Sequence, residues 1–138
     1  MHYLNSLDAL NTSNQTILDI VQGKMKDEYP AQRIFLWVDV RDVAMAHVKA
    51  MELSEAANKR FFVTAGYFTN REIVNIVRRN FSEYKEKLPS ESAKGGDLPE
   101  DGVYKYDNSR SREVLGIEYM SLEKSVVDTV KSLKEKGA

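Results

Sequence analysis

One segment constrains this chain more than any other: Phe35-Leu36-Trp37-Val38-Asp39-Val40-Arg41-Asp42-Val43-Ala44-Met45-Ala46-His47. Residues 34–38 form a continuous apolar run with aromatic and β-branched members. Such a run, without polar alternation, fits a strand covered on both faces, as in a parallel sheet. Asp39 then stands where a helix N-cap belongs. Its carboxylate can accept from the amide of Asp42, and Asp42 can reach back, which makes a capping box with aspartate in place of glutamate. The helix is expected to run to about Leu53, with Val43, Ala46, His47, Ala50 and Met51 as its inner stripe.

The same logic places the other elements. A helix is expected over residues 14–22, capped by Thr12 or Ser13 and closed by Gly23. Residues 24–32 are polar, contain Pro30 and read as a loop. Residues 60–64 read as a second strand, with Gly66 breaking it. Thr69-Asn70-Arg71-Glu72 is a capping box that opens a helix with Ile73, Ile76, Val77 and Phe81 as its stripe. Residues 82–102 are rich in polar residues, proline and glycine and read as a mobile surface loop. A short strand is expected over 103–106 and a short helix over 108–115, with Asp107 as cap and Gly116 as stop. Ser121 caps a last helix striped by Leu122, Val126, Val127, Val130 and Leu133. Strand followed by helix, twice over, is an α/β pattern.

The absences are as informative. The chain has no cysteine, which removes disulfides, thiolate catalysis and cysteine-bound metal. Its net charge of -1 gives no electrostatic case for nucleic acid or an anionic membrane surface. No apolar run approaches the roughly 20 residues that span a bilayer. Residues 1–14 lack the pattern of a signal peptide, so a soluble cytoplasmic protein is the expectation. None of the seven glycines falls in a G-x-G-x-x-G pattern, so no pyrophosphate cradle is encoded. The two histidines, His2 and His47, have no metal-binding spacing.

The candidate chemistry therefore narrows to a few side chains. Asp39, Arg41 and Asp42 form a charge cluster beside an apolar strand, which could clamp a ligand. The bland reading, a cap plus a local ion pair, is preferred because both carboxylates have caps to make. His47 lies on the expected inner stripe and reads as a partly buried packing residue. Trp37 reads as core, and the Thr69 and Ser121 hydroxyls as caps.

With those residues in view, the whole chain resembles the C-terminal part of the extended short-chain dehydrogenase/reductase superfamily, on the branch of fungal NADPH-dependent methylglyoxal and ketone reductases. Four segments carry the resemblance. They are Leu10-Asn11-Thr12-Ser13, Val38 to His47, Arg60-Phe61-Phe62-Val63 with Phe68-Thr69, and Tyr106-Asp107-Asn108-Ser109 through Leu115-Gly116 to Ser121-Leu122-Glu123. The resemblance implies the C-terminal part of an extended Rossmann-type α/β reductase with a small strand–helix substrate lobe. Residues 1–138 would form a single partial domain. It also implies that Ser13 contacts NADPH from the substrate side.

The family's working pair, Tyr-x-x-x-Lys, is not here. The residues four after Tyr3, Tyr29, Tyr67, Tyr84, Tyr104, Tyr106 and Tyr119 are Leu7, Arg33, Arg71, Leu88, Asn108, Arg110 and Glu123. No catalytic residue and no metal ligand is assigned. The expected function is the substrate-binding portion of an NADPH-dependent carbonyl reductase, inactive as this isolated chain. The alternative is a non-enzymatic α/β interaction module derived from the same half-fold. Its partners would be a small carbonyl substrate in the full-length family, a second copy, or the missing N-terminal half, with no nucleic acid and no membrane.

Overall fold

The computed structural model describes residues 7, 10–29 and 32–137. His2 and Tyr3 lie outside them. Helix α1 (Thr12–Gln22) begins two residues earlier than its apolar spacing indicates. Asn11 caps it, not Thr12 or Ser13, and its side chain accepts from the Asn14 amide at 3.0 Å. Gly23, at φ 82°, closes the helix as expected. Its amide and that of Lys24 reach back to the carbonyls of Ile20 and Asp19.

The apolar run 34–38 contributes only two residues of strand, Leu36–Trp37 (β1). It pairs with Gly66–Tyr67 (β2), and the pairing is antiparallel, with Leu36 opposite Tyr67 and Trp37 opposite Gly66. The expected parallel strand buried on both faces is not formed within the described residues, and Ile34 is 67% exposed. Gly66, expected to end a strand, lies inside one at φ 154°. A Cβ there would meet the Tyr106 hydroxyl at 3.4 Å, so glycine suits both the backbone and the neighbour. Residues 60–64 and 103–106, both expected as strands, have no ladder partner. The second stretch is held by its side chains instead. The Tyr104 hydroxyl accepts from the Phe35 amide at 3.0 Å, and the Tyr104 carbonyl accepts from the Tyr67 hydroxyl at 2.9 Å.

Helix α2 (Val40–Glu52) follows β1, with Asp39 as its N-cap. Helix α3 (Asn70–Asn80) is capped by Thr69, which accepts from the Glu72 amide at 3.0 Å. Helix α4 (Ser109–Glu113) is short, and Asp107 accepts from the Ser109 amide at 2.9 Å. Helix α5 (Leu122–Glu135) is capped by Ser121. Helices α1, α3 and α5 pack on one another through Ile20, Val21, Val74, Val77, Val130 and Leu133, all at most 1% exposed. With Ile17, Ile73 and Val126 they recur at spacings of three and four, which turns one stripe of each helix inward, and burial of these stripes is the main term holding the fold. A smaller cluster of Ala46, Ala56, Leu115 and Ile117 lies under α2.

Residues 82–102 begin with a 3-10 turn, Ser82–Lys87, and bury Tyr84, Leu88 and Pro89. The later part is organised around Arg71. Its guanidinium meets the Asp97 carboxylate at 2.9 Å and the carbonyls of Ala93 and Gly95 at 3.0 and 2.6 Å, and it lies over the Tyr29 ring.

Candidate functional site

The Asp39–Arg41–Asp42 turn is a closed device. The chain leaves β1 through Val38, and Asp39 caps α2 by accepting from the Arg41 amide at 2.9 Å. The Arg41 side chain folds back onto the same carboxylate, Nε to Oδ1 at 2.8 Å and Nη2 to Oδ2 at 2.9 Å. This is the two-pronged geometry in which guanidinium and carboxylate bind most strongly. Ser125 of α5 donates its hydroxyl to Asp39 Oδ2 at 2.7 Å. Arg41 Nη1 extends to Asp128 of α5 at 2.8 Å, and Lys124 Nζ meets the same Asp128 oxygen at 3.0 Å. The Asp39 side chain has no exposed surface, while Arg41 keeps 30% of its own.

Asp42 does not reach back to its cap. Its carboxylate accepts from the Met120 amide at 3.0 Å, across the fold. The capping box expected from the sequence is therefore a cap by Asp39 alone. Asp42 instead ties α2 to the segment that leads into α5.

The electrostatics follow from these contacts. The Arg41 guanidinium, working against burial and aided by Ser125, holds the Asp39 carboxyl well below the usual carboxylate range. Arg41 also holds Asp128 below it. Burial pushes Asp42 up, against the Met120 amide, which favours the charged form. A carboxylate occupied on both oxygens and held ionised cannot exchange protons near neutral pH, so Asp39 is a poor acid or base. The cluster joins β1, α2 and α5; its charges are spent on one another.

The remaining candidates stand apart from it. Ser13 is exposed in the first turn of α1, which carries no acidic side chain. His47, expected to be partly buried, is exposed; its Nδ1–H donates to the Val43 carbonyl at 2.8 Å. Helix α2 buries Asp42 and Ala46, so its inner face is rotated away from the expected stripe, and Ala50 and Met51 are exposed with His47. Trp37 is half-buried, and its carbonyl accepts from the Thr64 hydroxyl at 3.0 Å. The Thr69 hydroxyl donates to Glu72, and Ser121 accepts from the Lys124 amide, so both serve as caps. Among the described residues no group of three or more histidine or acidic side chains is placed to hold a metal ion. Sequence reasoning missed Ser125 and Asp128. Both sit far along the chain, and only tertiary packing brings them to Arg41.

Nor do the glycines form a phosphate-binding turn. The described α-helices are preceded by Asn11, Asp39, Thr69, Asn108 and Ser121, while Gly23 follows a helix, Gly116 lies just beyond one, and Gly66 lies in the sheet.

No family model matches the chain. It is 45% identical to the ketoreductase azaE of Aspergillus niger over 136 residues, 98% of this chain and 40% of that protein. The solved structure of Gre2 from Candida albicans in complex with NADPH superposes with a TM-score of 0.82 and 36% identity, over 99% of this chain and 40% of that one. The yeast methylglyoxal/isovaleraldehyde reductase Gre2, also solved with NADPH, gives a TM-score of 0.80 and 27% identity over 99% and 40%. The chain thus spans about two-fifths of the length of the relatives it matches. The fold and these likenesses agree with the resemblance read from the sequence: over nearly its whole length the chain is similar to part of the fungal reductases, as a portion of an extended short-chain dehydrogenase/reductase would be.

Proposed function

We propose that residues 1–138 are the substrate-side, C-terminal portion of an NADPH-dependent reductase of small aldehydes or ketones, a single partial domain that works in the cytoplasm and is inactive as an isolated polypeptide. The observation that carries this reading is the 99% superposition on a reductase solved with NADPH, over only 40% of that reductase. The inactivity rests on the residues present. No tyrosine here has a lysine four positions on, so no phenol is prepared to protonate a carbonyl oxygen.

The residues present do not by themselves fit a dinucleotide. Ser13 offers one exposed hydroxyl, and the glycines do not open helices as a pyrophosphate site requires. Ser13 is assigned a contact to NADPH held mainly elsewhere, and no chemical step is routed through it. The chain alone is therefore expected to reduce neither methylglyoxal nor a simple diketone with NADPH above the buffer rate. Its melting temperature is expected to stay unchanged with NADPH present. Turnover above buffer, or a clear thermal shift, contradicts the reading.

A non-catalytic α/β interaction module is the second reading. The outward-facing apolar side chains favour it, Met51 at 81% and Phe62 at 53% exposed. It predicts binding to a protein partner with no reductase activity in any covalent context.

A further inference from the structure

Among the described residues the half-buried arginines are Arg41, Arg71 and Arg78. Taking a guanidinium partly out of water costs free energy unless an anion faces it. Arg41 faces Asp39 and Asp128, and Arg71 faces Asp97. Arg78 forms no ion pair among the described residues. Its guanidinium donates to neutral oxygens, the side-chain carbonyl of Asn75 through Nη1 and the backbone carbonyl of Pro89 through Nη2.

Arg78 also lines a cavity of about 450 Å³, between the loop that follows α1 and residues 85–91. Lys26 and Lys85 line the same cavity, and both are exposed and outside any ion pair among the described residues. Ser90 adds a hydroxyl, which is shared with the Ser92 hydroxyl at 3.1 Å. Three cations and a rotatable hydroxyl thus meet around one space. Three carboxylates, Asp27, Glu86 and Glu91, line it too, and the formal sum is zero. All three are exposed and none is paired with Arg78. An exposed carboxylate gains little by giving up water for such a pairing. The zero sum also selects against an extended polyanion and favours a small one that reaches Arg78.

We propose that this cavity binds a small phosphate-type oxyanion, held by the Arg78 guanidinium and reached by Lys26, Lys85 and the Ser90 hydroxyl. A guanidinium presents paired donors that match two oxygens of a phosphate, and such charge-assisted bonds are roughly twice as strong as bonds to neutral oxygens. The site is separate from Ser13 and from the Asp39 cluster, so it stands or falls independently of the reductase reading.

The test is a titration of the 138-residue chain with inorganic phosphate and with glycerol phosphate. Ionic strength is held constant with sodium chloride, and NMR follows the Arg78 Nε–H and the backbone amides. A melting curve would not serve, because phosphate stabilises folded proteins generally by exclusion from their surface. Saturable shifts are expected at Arg78 and at the amides of residues 26, 85 and 90, half-complete at ~1–10 mM, with α5 unmoved. Arg78→Gln is expected to weaken binding at least ~10-fold. Because Arg78 also holds the Pro89 carbonyl, a second variant joins Lys26→Ala to Lys85→Ala at exposed positions, and is expected to weaken binding ~3-fold or more. Tighter binding of the ester makes a phosphorylated small molecule the source of the anion, and equal binding makes it free phosphate; both support the site.

Shifts that do not saturate, or that sodium chloride alone reproduces, overturn the proposal. Saturable binding that survives unchanged in both variants overturns it too. An Arg78 Nε–H that moves in Asp27→Asn, Glu86→Gln or Glu91→Gln but not with phosphate makes a carboxylate of the chain its counter-ion, and is the third result that overturns it.

Discussion

At the scale of single residues, Asp39 shows how a site can look catalytic and be structural. Its place at a strand-to-helix turn was readable, because aspartate before an apolar-periodic segment is an N-cap signal. What its carboxylate does beyond the cap was not. Ser125 and Asp128 lie more than eighty residues away, and no local pattern links them to Arg41. Asp42 was misassigned for the same reason, since its partner is a backbone amide, Met120, that carries no sequence signal. Asp39→Ala is expected to destabilise the chain by about 3 kcal/mol, because Arg41 would lose its buried counter-ion; urea unfolding measures it.

The acid response follows from the lowered carboxyls. Asp39 and Asp128 contribute stability that is full above their ordinary values near pH 4 and is lost as pH falls through their lowered ones. Asp42, raised by burial, has the opposite sign: its contribution is present when protonated and fades as pH rises through its raised value. The urea midpoint is expected to fall between about pH 5 and pH 2, and to fall less in Asp39→Asn. An equal acid dependence in the two proteins would remove Asp39 from the account.

At the scale of elements, α3 and α5 were legible because their burial and their periodicity agree. Ile73, Ile76, Val77 and Phe81 of one stripe, and Val126, Val130 and Leu133 of the other, are buried as their spacing indicates. Helix α2 was legible in extent but not in phase. It has apolar residues on two sides, so periodicity alone could not choose the inner one, and a buried aspartate decided it. The strands failed for a related reason. Apolar runs at 34–38 and 60–64 carry the composition of central strands, but a ladder needs neighbours, which composition does not supply.

Residues 82–102 have their own predictions. We propose that their mobility is governed by Arg71, which gathers Asp97 and the carbonyls of Ala93 and Gly95. Arg71→Ala is expected to raise amide exchange across 90–102 while leaving α5 protected. Gly96 closes the same region. At φ 83°, a Cβ there would stand 2.6 Å from the Tyr29 ring. Gly96→Ala is expected to cost about 2 kcal/mol or more, from the left-handed backbone and the displaced ring together, read as a lowered melting temperature.

At the scale of the whole molecule, the chain has a sound helical core and two unfinished surfaces. Helices α1, α3 and α5 enclose Val77, Val130 and Leu133 completely. The two-stranded sheet gains no further strand among the described residues, and Met45, Val48 and Met51 on the outer side of α2 stay exposed. Among those residues no helix is long and apolar enough to cross a membrane. The resemblance was legible from the strand-to-helix segment and the closing motif, where Asp39 and Ser121 cap α2 and α5. The pair that the resemblance would supply, a tyrosine with a lysine four residues on, does not occur in the sequence.

We propose that these residues shape the substrate side of a carbonyl reductase whose proton-donating pair lies in another part of the enzyme. This is tested most directly by NADPH oxidation with methylglyoxal, measured on the isolated chain and on a chimera in which residues 1–138 replace the matching portion of the yeast methylglyoxal/isovaleraldehyde reductase. The account expects no oxidation above buffer by the chain and clear turnover by the chimera. Turnover by the isolated chain, or none from a chimera whose α3 is protected, would contradict it.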